Sequence, residues 1–173
     1  MFTTPQPRRR SATWLTTVGV AALLATATAA AATETTHSRG ALSDLSSAAD
    51  GTDGATGSAH AIVGAHATTV VLNVRGLSDQ PGVVHGAHVH IGPCVANNGA
   101  AALGHFNAGG GISDQTEVWL DFEVRDSGNA HATAVAPFTI ADGAARSIVI
   151  HAAPTDPLTG AAGARLACLP LEL

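Results

Sequence analysis

His88 and His90 stand one residue apart in the run Val83-Val84-His85-Gly86-Ala87-His88-Val89-His90-Ile91-Gly92-Pro93-Cys94, among β-branched residues. In a strand, residues i and i+2 share a face, so these two imidazoles can aim at one point. Imidazole nitrogen suits copper, zinc, iron or nickel, and two ligands on one strand need others from elsewhere in the chain. Two more histidines fall where strand-like segments meet loops, His105 in Leu103-Gly104-His105-Phe106-Asn107 and His151 at the end of Ser147-Ile148-Val149-Ile150-His151. The plainer reading of a lone His-x-His is a pair of surface histidines, so the rest of the chain has to decide.

Those residues need a scaffold, and the sequence points to an all-β one. From residue 59 onward, short β-rich runs alternate with glycine and proline, over 68–74, 83–91, 117–124, 130–136 and 146–151. Turn signals separate them, among them Ser78-Asp79-Gln80-Pro81-Gly82, Asp126-Ser127-Gly128-Asn129 and Ala141-Asp142-Gly143. The arms around Ser127-Gly128 read as a hairpin, with Val118, Leu120 and Phe122 alternating on one of them. Strands at this spacing predict a sandwich or barrel. No segment reads as an amphipathic helix. Two long stretches rich in small residues, 92–114 and 152–164, lie beside the histidines and are the expected walls of a site.

The first 32 of the 173 residues stand apart. Arg8, Arg9 and Arg10 precede an uncharged, largely apolar stretch over 14–24, and Ala30 and Ala32 give a small-x-small pattern. This reads as a secretory signal peptide over 1–32, cut after Ala32, with no membrane anchor left behind. Its removal leaves five arginines, no lysine and 13 acidic residues, a formal charge of −8. Such a chain has no basic patch for nucleic acid or an anionic membrane. Residues 33–58, rich in Ser, Ala, Gly, Thr and Asp, read as a low-complexity acidic linker with a possible first strand near 39–45, and 59–173 as the β-domain. Cys94 and Cys168 are the only cysteines. In an exported chain an even count favours a disulfide, with a thiolate metal site including Cys94 as the alternative. The expected location is secreted or within the cell envelope.

The ordered pieces resemble the copper/zinc superoxide dismutase family. These are the His-Gly-x-His-x-His run at His85 to His90, the following Cys94, Gly-His-Phe-Asn at His105, the strand end at His151, and Gly163-Ala164-Arg165-Leu166-Ala167-Cys168. The resemblance covers about residues 68–169 and implies a Greek-key β-sandwich or barrel with long site-forming loops. It further implies copper held by His88, His90, His105 and His151, a disulfide between Cys94 and Cys168, and Arg165 guiding superoxide at the mouth of the site. His105 is the proton donor that the resemblance suggests. His85 has an odd offset from His88 and His90, so alternation turns it away from them, toward a structural hydrogen-bonding role.

The departures from the family are as informative. The family's zinc half needs two further histidines and an aspartate after Gly-His-Phe-Asn, yet no histidine occurs between His105 and His131, and the run there is Thr116-Glu117-Val118-Trp119-Leu120-Asp121. Zinc is therefore not expected, and the closest pattern is a copper-only member. Without zinc on its second nitrogen, His105 needs another partner to orient it, and Glu117 or Asp114 is the expected acceptor. The reading is an exported copper-dependent superoxide dismutase that converts superoxide to oxygen and hydrogen peroxide. The alternatives are an extracytoplasmic copper buffer or carrier without useful catalysis, and a structural domain on the same fold. Nothing in the sequence points to an oligomeric state.

Overall fold

The structure is a computed structural model that describes residues 33–173 together with Met1; the expected leader over 1–32 otherwise lies outside the described residues. Among the described residues ten strands run β1 Glu34–Ala41, β2 Ser43–Asp44, β3 Thr56–Val63, β4 Thr68–Arg75, β5 Val84–His85, β6 Ala87–His90, β7 Phe122–Glu123, β8 Asn129–Ala136, β9 Ser147–His151 and β10 Arg165–Pro170. They form a four-stranded sheet in the order β1-β3-β4-β8, a second in the order β2-β10-β9-β6, and a small β5-β7 pair. All pairings are antiparallel. Strands β3 and β4, and β9 and β10, pair as sequence neighbours, and the remaining pairings are closed by longer connections.

Alternation explains the first sheet. Val70, Leu72 and Val74 of β4 are buried, while Thr69, Val71 and Asn73 between them are half-exposed. Ala59 and Ala61 of β3 and Ala130 and Ala132 of β8 extend the same inward face. Opposite lie Ala87 and Val89 of β6, Ile148 and Ile150 of β9, and Ala167 and Leu169 of β10, in one apolar cluster. Strand β6 thus turns Ala87 and Val89 into the sandwich and His88 and His90 to the other face. There, loops bury both histidines completely.

Three details differ from the sequence reading. The segment 33–58, read as a linker with a possible first strand near 39–45, supplies β1, paired in register with all of β3 from Glu34↔Val63 to Ala41↔Thr56, and β2, paired with β10. Its β1 residues carry no apolar period because β1 is an edge strand with little to bury, and Leu42, Leu45, Thr52 and Ala55 after it reach the interior. The run 83–91 breaks at Gly86, where a Cβ would stand 2.7 Å from Ala162 Cβ and 2.8 Å from Thr155 Oγ1. The loop after β9 docks on the bare backbone at that point.

The expected hairpin arm over 117–124 is the third difference. Val118, Leu120, Phe122 and Val124 are all buried, as the alternation implied. Its ladder, however, runs along β5 and β6 rather than β8, through the β5-β7 pair, the His88↔Trp119 bridge and the bonds Val89 N to Val118 O and Leu120 N to Ala87 O. A turn over Arg125 to Asn129 does lead into β8.

Candidate metal centre

The outer edge of β6 recruits the third histidine. Phe106 N donates to Val89 O and Ile91 N to Gly104 O, which sets His105 opposite His90 in a β-bridge. His151 ends β9, the strand paired to the other edge of β6. Sheet pairing therefore brings together His88, His90, His105 and His151, with one ring nitrogen from each lying within 4.8 Å of the other three. His85, by contrast, is buried away from the cluster and bonds His151 O at 2.7 Å and Asp79 Oδ2 at 2.9 Å.

The second nitrogen of every ring is engaged by the protein, and this fixes which nitrogen faces inward. His90 Nδ1 lies 3.3 Å from Leu103 O and His151 Nδ1 lies 3.3 Å from Gly163 O. A carbonyl can only accept, so these nitrogens carry protons and both Nε2 atoms carry lone pairs. His105 Nδ1 lies 2.8 Å from Glu117 Oε2, which leaves its Nε2 as the lone-pair nitrogen. His88 is reversed. Its Nε2 lies 2.7 Å from Thr155 Oγ1, whose hydroxyl donates to Asp121 Oδ1 at 2.6 Å and so accepts from the ring. His88 Nδ1 is left buried without any partner.

Three Nε2 atoms and one Nδ1 thus present lone pairs to a common centre. His90 Nε2 and His151 Nε2 stand 3.4 Å apart, two acceptors facing each other. Such an arrangement is unfavourable on its own, and a cation between them satisfies it together with the orphaned His88 Nδ1. Three of the rings are also held neutral, as ligands must be. Burial is the main cause, helped by the neighbouring rings, and takes His88 down to about 2, His90 to about 3 and His151 to about 4. Four neutral imidazoles form a donor set that fits copper.

Glu117 is 4% exposed and accepts from three donors: His105 Nδ1, Trp119 Nε1 at 2.9 Å and Asn107 Nδ2 at 3.1 Å. Burial works to raise this carboxyl, but the three bonds together outweigh it and hold the group below its ordinary value. Asp114, the other acid considered for His105, is exposed and accepts from the Gln115 side chain instead.

Arg165 sits across from His151 at the start of β10, where the register with β9 shifts between Arg165 and Ala167. The extra residue there, Leu166, is a bulge that sets the arginine's direction. Its guanidinium donates to Gly99 O at 2.6 Å and also to Leu103 O. The carbonyl that orients His90 therefore also holds Arg165. Leu103 presents that oxygen from a positive φ of 58°, a strained conformation for a leucine. The Cys94–Cys168 disulfide joins the same loop to β10, with Cα atoms 5.6 Å apart.

Sequence reasoning named the four histidines, Arg165 and both cysteines, and gave Glu117 and Asp114 as alternatives. It missed Thr155 and Asp121, which orient His88, and the carbonyls of Leu103 and Gly163. His131 is an exposed residue of β8 bonded to Asn73. Among known proteins, residues 55–169 match the model of the copper/zinc superoxide dismutase family. No curated protein matches the chain.

Proposed function

The chain belongs to the copper/zinc superoxide dismutase family, and from that premise we propose an exported superoxide dismutase that works with copper alone. The observation that carries the copper-only reading is the 2.8 Å contact between His105 Nδ1 and the buried Glu117 carboxylate. A histidine shared by two metals needs that nitrogen for the second one, and here a carboxylate with two other donors takes it. The sequence adds that no histidine follows His105 before His131.

His88, through Nδ1, and His90, His105 and His151, through Nε2, would hold the metal. Bound copper supplies the one-electron couple by which one superoxide is oxidised to oxygen and a second is reduced to peroxide. The protein's own residues supply the rest. Arg165 places a guanidinium at the loop edge of the centre and draws the anion in against the acidic charge of the chain. His105 is the ring with the most solvent access, its side chain 19% exposed, whereas the other three are buried. When its Nε2 is not engaged by a metal, that nitrogen can take a proton from solvent and would pass it to peroxide. Glu117, on the other nitrogen, steadies the imidazolium that exists while Nε2 is protonated.

Export is supported by the Arg8–Arg10 leader pattern and by a disulfide that persists in oxidising compartments. Among the described residues no helix is long and apolar enough to cross a membrane. The test loads the purified chain with copper, with zinc and with both, then measures metal stoichiometry and superoxide decay. One copper per chain with zinc-independent turnover is expected. Tight copper binding without turnover would replace the enzyme with a copper buffer, and a second equivalent of tightly held zinc would sink the copper-only reading.

A further inference from the structure

Arg165 belongs to the metal centre and Arg146 reaches Glu172 at 3.4 Å. Two of the other three arginines in the described residues, Arg39 and Arg75, line one pocket with Thr56, Ser58 and Asn73, on the sheet β1-β3-β4-β8. The register puts them there. Ala41, Thr56 and Arg75 form one cross-strand row, and Arg39, Ser58 and Asn73 form the next. With strands ~4.8 Å apart and rows two residues apart, the two arginine stems rise about 12 Å from each other, so their side chains can converge on one ligand.

The chemistry of this pocket is one-sided. Its polar side chains are two guanidiniums, two hydroxyls and an amide, and none of its lining residues is acidic. Among the described residues, neither guanidinium forms an ion pair. This happens in a chain whose acids far outnumber its bases, where a free arginine has many carboxylates to find. Asn73 turns its oxygen to His131 Nδ1 at 2.9 Å, which leaves the amide N–H groups as donors without a protein partner. The pocket, of about 430 Å³, has the size of a small-molecule site rather than of a bare ion.

We propose that this pocket binds a ligand through a phosphate or sulfate group, with the Arg39 and Arg75 forks on the tetrahedral oxyanion and Thr56, Ser58 and Asn73 donating around it. Planar guanidinium forks match such oxyanions, and the charge-assisted bonds they form are the strong ones. His88, His90 and His151 come from the other sheet or its strand ends, so filling the pocket leaves the dismutase centre untouched. This inference stands independently of the proposed function.

The test uses the copper-loaded full chain in two arms. Inorganic phosphate and sulfate are titrated while backbone amide shifts are followed, and vesicles of phosphatidylglycerol are compared with phosphatidylcholine by sedimentation. Saturable shifts at Arg39, Ser58, Asn73 and Arg75 are expected, and R39A/R75A weakens binding about tenfold or more, with superoxide decay unchanged. Binding in the free-ion arm assigns a soluble ester, whereas binding in the vesicle arm alone assigns a lipid headgroup; both support the site. It is overturned if R39A/R75A matches the parent in both arms, or if R146A, at an arginine outside the pocket, weakens binding as much.

Discussion

Replacing Glu117 by glutamine tests how His105 is oriented in the proposed copper-only centre. The parent carboxylate uses Oε2 for His105 and Trp119 and Oε1 for Asn107. A carboxamide has one accepting oxygen. Placed at the Oε2 position, it leaves its NH2 against Asn107 Nδ2, and Asn107 cannot simply turn over because its own oxygen accepts from Gly109 N at 2.8 Å. Placed the other way, the NH2 faces both His105 and Trp119. In the better arrangement the His105 bond also falls from charge-assisted to neutral, a loss of about 1 to 1.5 kcal/mol. That corresponds to roughly tenfold weaker copper binding, the lower end of what partners of metal ligands usually contribute. Copper affinity by chelator competition measures this, with urea unfolding of the metal-free protein to separate loss of site from loss of fold. Glu117→Gln should weaken copper about tenfold, while Asp114→Asn, whose side chain is exposed, should leave it unchanged. Equal effects of the two substitutions, or none from either, would refute the reasoning.

Arg165→Ala should slow superoxide decay and flatten its dependence on ionic strength, because screening acts on the charge that draws in the anion; a salt response identical to that of the parent would remove its guiding role. Thr155→Val strips the acceptor from His88 Nε2 and should cost copper affinity by about 1–3 kcal/mol, whereas Thr155→Ser should retain it. Cys168→Ser opens a link between residues 74 apart and should lower unfolding free energy by about 4 kcal/mol in the chain-entropy account, measured by denaturant titration. The metal-free protein should lose stability in acid. His88, His90 and His151 all have folded values well below their unfolded 6.5, so below that pH the unfolded chain takes up protons that the folded one refuses. The slope is at most about 1.4 kcal/mol per pH unit for each ring, and the depressed Glu117 adds in the same direction at lower pH. A flat unfolding free energy between pH 7 and 5 would contradict it.

The sandwich was legible because its inner faces obey a simple alternation. Val70, Leu72 and Val74 announce β4 from sequence alone, and Ile148 and Ile150 do the same for β9. Strand β1 was legible only as a possible strand near 39–45, since an edge strand that buries almost nothing has no apolar period to read, and the pairing of Thr36, Ser38 and Gly40 with β3 is made by backbone bonds that any sequence can form. The segment 117–124 shows the complementary limit. Its alternating apolar residues correctly gave the buried face, but alternation does not name a partner, and β6 offered a free edge where the turn at Ser127-Gly128 suggested β8.

The centre divides along the same line. Side chains that must be histidine, arginine or cysteine for chemical reasons leave a mark in the sequence, whereas the groups that choose between Nδ1 and Nε2 leave very little. Two of them, Leu103 O and Gly163 O, are main-chain atoms that every residue carries, and they are aimed by backbone positions at φ 58° and 78°. The third, Thr155, becomes meaningful only because Gly86 lets its loop descend onto the break between β5 and β6. Glu117 is the exception, and the reason is charge. A carboxylate can orient a ring whose usual second-metal ligands are missing from the sequence, so the choice could be narrowed to Glu117 or Asp114 before the contact was seen. Ring orientation is thus set by loop backbone at His90 and His151 and by side chains at His88 and His105, and the Cys94–Cys168 link matters to the metal centre because it ties the loop bearing Leu103 to the strand bearing Arg165.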